Sequence, residues 1–141
     1  MKINKFFLLL AALGTISAFL TYFFYNYFVI EDTMVLDMSV KVDDHFGINA
    51  DADAIKFGMI MPGTSSKRSI LINNNAAYPL RVVILKSGYI ADWVKASNYD
   101  FILKENESKQ MNFEVFAPDY IDFGNYTGKV KIIFKKTLFG K

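Results

Sequence analysis

The densest cluster of ligating side chains lies between residues 43 and 53: Asp43, Asp44, His45, Asn49, Asp51 and Asp53. Carboxylate and amide oxygens in such a run suit a hard cation, which makes Asp43, Asp44, Asp51 and Asp53 the calcium candidates of this chain. The spacing matches no EF-hand loop, because Asp51-x-Asp53 lacks the following glycine and the distal glutamate. The plainer reading of the same residues is a solvated acidic loop. His45 is the sole histidine and the chain has no cysteine, so a tetrahedral zinc site has too few ligands. A hydrolytic triad would have to use His45 beside this loop, and no nucleophile elbow accompanies it. No catalytic residue and no cofactor is therefore expected, and the chain is not expected to be an enzyme.

Three further chemistries are worth naming. Asn106-Glu107-Ser108 and Asn125-Tyr126-Thr127 are N-glycosylation sequons, both expected in turns. Trp93, the only tryptophan, reads first as a core aromatic and second as a ring on which a ligand could stack. Lys129, Lys131, Lys135, Lys136 and Lys141 make the last strand basic. Lysine on an edge strand blocks edge-to-edge association, which is the preferred reading; contact with anionic headgroups or an acidic polymer is the other.

These groups must be positioned by what surrounds them, and one stretch dominates the chain. Residues 6–30 carry no charged side chain. A helix of that length, at ~1.5 Å per residue, spans a hydrocarbon core of ~30 Å. Lys2 and Lys5 precede the run and Glu31 and Asp32 follow it, so the positive flank stays cytoplasmic and the rest lies outside. Tyr22, Tyr25, Tyr27 and Asn26 mark the outer interface. A cleaved signal peptide is the competing reading, but the run is too long and would leave an aromatic stub. Gly14 and Ala18 form a small-x-x-x-small pair through which two such helices could approach, giving a homodimer; an ordinary lipid-facing helix is the alternative.

Beyond the run the charges balance, since Lys2 and Lys5 account for the formal excess of +2. A neutral domain argues against nucleic acid, which requires a basic face. Period-two alternation starts at Met34 and recurs at 111–116 and 129–135, while 67–73, 80–86 and 99–103 read as strands from their apolar and β-branched runs, with a short apolar piece at 55–57. Turn clusters stand at 62–66, 73–75, 104–108 and 124–128. About seven short strands with turn signals every ~8–12 residues, and no helical period after residue 30, predict an all-β sandwich. The expected organisation is a cytoplasmic tail at 1–5, a transmembrane signal anchor at 6–30, a junction at 31–33 and an extracytoplasmic domain at 34–141.

Phe57-Gly58, Pro62-Gly63, Arg68 with a strand ending at Asn73, Ala117-Pro118, and Gly124-x-Tyr126-x-Gly128 opening the last strand form a familiar succession. It resembles the immunoglobulin-like sandwich domains of the broad pilus-chaperone, major-sperm-protein and ciliary group, which also occur in prokaryotic membrane-anchored envelope proteins. The resemblance implies an immunoglobulin-like β-sandwich and a tyrosine-corner role for Tyr126; it implies no chemistry. The expected function is thus a non-enzymatic, single-pass envelope protein in the cell membrane whose domain binds another envelope protein. A calcium- or carbohydrate-binding module and a strand-donating assembly chaperone are the alternatives.

Overall fold

The long strand that leaves the apolar helix sets the architecture. In the computed structural model, which describes residues 5–45, 47 and 54–137, α1 spans Lys5–Phe24 and continues through one π-helical turn, Tyr25–Val29. Strand β1, Ile30–Val42, follows without a break. Every described residue of α1 is exposed, as a helix with its own apolar environment would be, and the segment Lys5–Val29 is long and apolar enough to cross a membrane.

Seven more strands follow: β2 Ala54–Ile60, β3 Ser65–Asn73, β4 Leu80–Gly88, β5 Val94–Ala96, β6 Asp100–Leu103, β7 Ser108–Phe116 and β8 Gly124–Lys136. They form a five-stranded sheet in the order β2-β1-β8-β4-β6 and a three-stranded sheet in the order β3-β7-β5. All neighbours are antiparallel except β1 and β2, which are parallel. The alternating side chains of the two sheets meet in one core, with Met38, Val40, Ile55, Phe57, Val82, Ile84, Val130 and Ile132 facing Ile72, Val94, Met111, Phe113 and Val115. The β-sandwich expected from the alternation is present.

Several expectations change in detail. Residues 31–33 are not a junction: Asp32 pairs with Phe134 and Thr33 with Ile133 inside the sheet. The short apolar piece at 55–57 is the middle of a seven-residue strand, β2. Its register against β1 slips between Ser39 and Lys41, where Gly58 takes φ +83° and supplies the extra residue of a bulge. The irregular crossing around Trp93 is a 3-10 turn, Tyr89–Asp92, followed by β5 and β6. β5 pairs with β7 in one sheet and β6 with β4 in the other, so the chain changes sheets between Ala96 and Asp100.

The largest correction concerns the basic strand. β8 is not at an edge; it is the middle strand of the larger sheet, between β1 and β4. Its lysines at 129, 131 and 135 therefore do not guard an edge. They stand on the open face of the sheet. Sequence periodicity tells which residues share a face but not which strand lies beside which.

The seam between β2 and β3, which belong to different sheets, is closed by side chains. The Ser66 hydroxyl donates to the Phe57 carbonyl at 2.7 Å, and Arg68 Nε donates to the Lys56 carbonyl at 2.6 Å. Two polar residues at inward positions thus satisfy backbone acceptors that a sheet neighbour would otherwise take.

Candidate functional site

The acidic turn after β1 brings together part of the predicted calcium set. Asp43, Asp44 and His45 place their ligating atoms within 4.8 Å of one another on the surface. Asp51 and Asp53 lie outside the described residues. The turn already has internal partners: Lys41 Nζ sits 2.6 Å from an Asp43 carboxylate oxygen, and His45 Nδ1 contacts Asp44. The Lys41 ammonium, helped by the backbone N–H of Asp44, holds the Asp43 carboxyl down at about 2. These contacts describe a self-contained turn at the end of β1.

The sequons separate. Asn106 is exposed in the tight turn between β6 and β7 and takes φ +55°. Asn125 is not in a turn; it is the second residue of β8, exposed, and pairs with Lys41 of β1. Gly14 and Ala18 lie on one exposed side of α1, and nothing comes within 4 Å of the place a Gly14 side chain would occupy.

Two surface regions were not singled out by sequence. The first is the open face of the five-stranded sheet. Cross-strand register lines up Thr33, Ile133, Val83 and Asp100 in one row, and Val35, Lys131 and Leu85 in the next. Val35 is 53%, Leu85 49% and Ile102 55% exposed. Ile133 is covered by its neighbours on this face although it is outside the core cluster. Lys131 stands between Val35 and Leu85, and Arg81, Lys129 and Lys135 flank the strip, against the carboxylates of Asp37 and Asp100. Arg81 Nε donates to Asp100 at 2.7 Å and keeps that carboxyl below the usual range. The open face of the smaller sheet carries a polar ladder, with Ser69 donating to Asn112 and Ser65 to Glu114, beside the exposed Leu71 and Phe116.

The second region is at the end of the sandwich far from α1. Tyr89, Trp93 and Tyr126 form a mutually contacting trio. The Tyr89 and Tyr126 rings stack at 5.3 Å and 27°, Trp93 meets Tyr89 edge-on at 5.4 Å, and Trp93 lies 5.1 Å from Tyr126. The Tyr126 hydroxyl donates to the Asp122 carbonyl at 2.7 Å and ties down the loop before β8, as expected of a tyrosine corner. Packing against this cluster pushes the Tyr126 phenol up from its ordinary value. Trp93 is half-buried rather than a core residue. An apolar residue in a strand looks alike in a core and on an open face, so only strand order could have revealed the first region; of the second, the sequence named Trp93 and Tyr126 but not Tyr89.

At the other end, the base of the domain grips the last turn of the helical segment. Lys136 pairs with Glu31 at 2.9 Å, which lowers the Glu31 carboxyl and raises the Lys136 amine. Lys135 lies over the Tyr25 ring at 5.3 Å. Comparison with known protein families, characterised proteins and solved structures finds no match for this chain.

Proposed function

We propose that the chain is a single-pass, membrane-anchored envelope protein whose extracytoplasmic domain is a non-enzymatic protein-binding module. The observation that carries this reading is the open face of the five-stranded sheet, where Val35, Leu85 and Ile102 are exposed around Ile133 and interspersed with Arg81, Lys129, Lys131 and Lys135. Exposed apolar side chains grouped on one face mark interaction surfaces. Four cations against two carboxylates disfavour a second copy of the same face and suit an acidic partner.

We read the sandwich as immunoglobulin-like with one rearrangement. β3, β7 and β5 make one sheet, while β8 and β4 are adjacent in the other, as in a Greek-key sandwich. β1 then takes the place of the last strand, antiparallel to β8, although it comes from the beginning of the domain. The anchor is therefore continuous with an interior strand of the sheet. The positive flank of the apolar segment supports an inside N-terminus and an outside domain.

Photo-cross-linking in native membranes tests the reading. A photo-reactive side chain at Leu85 should give one dominant protein adduct, and one at Leu71, exposed on the opposite sheet, should give none. Lys131→Glu should weaken the Leu85 adduct, as should raised salt. Adducts from Leu71 alone would move the interface to the other sheet, and no adduct from either position would remove the protein-binding reading.

A further inference from the structure

One row farther from the helix, the same face of the larger sheet ends in a groove of about 520 Å³ whose wall is the Tyr89 ring. Asp37, Ser39, Ser87, Thr127 and Lys129 line the rest. The register explains why they meet: Asp37 lies opposite Lys129, which lies opposite Ser87, and Ser39 lies opposite Thr127. β4 and β8 approach closely here because Gly88 and Gly128 face each other; a Cβ on Gly88 would stand 2.6 Å from the Gly128 Cα. The floor is therefore backbone, and the side chains rise only at the rim.

The geometry points to this groove as a binding site for a neutral pyranose sugar, the end or branch of a glycan. Tyr89 offers the platform. One face of its ring is stacked on Tyr126 and its edge meets Trp93, yet Tyr89 remains 66% exposed, so the opposite face is bare. A pyranose has one face of C–H groups that packs on such a ring and an equator of hydroxyls that need both donors and acceptors. Three hydroxyl side chains, one carboxylate and one ammonium supply both. Asp37 and Lys129, 3.7 Å apart, balance in charge, which favours a neutral ligand over an acidic one. A bound peptide strand is disfavoured, because β1 and β8 are already paired with each other at this level. This site shares Asp37 and Lys129 with the rim of the proposed protein-binding strip, goes beyond that reading and does not depend on it.

Trp93, the only tryptophan, reports on the site because it touches the Tyr89 ring. Full-length chain in detergent is titrated with the methyl glycosides of glucose, galactose, mannose and N-acetylglucosamine while Trp93 emission is followed. At least one should give a saturable change. Tyr89→Phe should keep it; Tyr89→Ala should abolish binding read by isothermal titration calorimetry, which does not rely on the Trp93–Tyr89 contact, with the circular dichroism spectrum unchanged; and Asp37→Asn should weaken binding roughly tenfold, the scale of one lost charged hydrogen bond. No saturable change with any of the four overturns the proposal. So does binding that survives Tyr89→Ala, or a glucuronide that binds more tightly than the neutral sugars. Each of these results leaves the Leu85 cross-linking outcome untouched.

Discussion

Asn74 shows how much one polar side chain can organise. It is the only buried polar or charged residue among those described, at 1% exposure. Its amide donates to the carbonyls of Tyr78, Leu103 and Lys104, and its carbonyl accepts from the Ala76 N–H at 2.9 Å. Its backbone N–H reaches the Glu107 carbonyl as well. One side chain thus joins the β3–β4 connection to the β6–β7 turn. Asn74→Ala would leave the buried Leu103 carbonyl and the part-buried carbonyls of Tyr78 and Lys104 without this donor, and we expect a loss of about 2–4 kcal/mol in chemical denaturation. Asn74→Asp should cost at least as much, because a carboxylate would face three carbonyls. The sequence reads Asn73-Asn74-Asn75 as a place where a strand stops, and that is correct as far as it goes. Nothing in three consecutive asparagines says which one turns inward. The acidic residues show the reverse case: Asp43 and Asp44 advertise ligand chemistry, while the structure gives Asp43 a lysine two positions earlier.

At the level of elements, alternation identified the strands and missed their neighbours. The inward sets of β7 and β8, Met111, Phe113 and Val115, and Val130, Ile132 and Phe134, were legible as period two and are all buried. That β8 lies between β1 and β4 was not legible, because register and order depend on contacts distant in sequence. The consequence is functional: lysines read as edge protection become part of an exposed basic and apolar face. The contact of β4 with β8 also makes a specific demand at Gly88, which has φ +90° and ψ −178°. Non-glycine residues rarely adopt that conformation, and the added methyl would meet the Gly128 backbone. Gly88→Ala should destabilise the domain by about 3 kcal/mol or more, read by denaturant titration of the solubilised chain. Gly14→Ala, in the open on α1, should leave the same titration unchanged.

For the molecule as a whole, the informative boundary is the one the sequence misplaced. Polarity changes at Glu31 and alternation starts at Met34, so composition divides anchor from domain there. The burial pattern shows why: β1 is largely exposed from Glu31 to Val35, and buried side chains begin only at Met38. An exposed half-strand carries no periodic apolar signal, although its backbone is paired from Ile30 onward. Two soluble versions of the domain separate these boundaries. One beginning at Ile30 keeps the pairs of Asp32 with Phe134 and Thr33 with Ile133, and the Glu31–Lys136 ion pair. One beginning at Met34 loses all three and uncovers the end of β8, including Phe134, which is 5% exposed in the intact sheet. We expect the shorter version to melt lower, by ~4–8 °C for each kcal/mol lost in a domain of this size. Equal melting temperatures would mean that residues 31–33 act as a passive tether. A clear difference would mean that residues 30–33 belong to the sheet and that their pairing with β8 and the Glu31–Lys136 ion pair stabilise the domain.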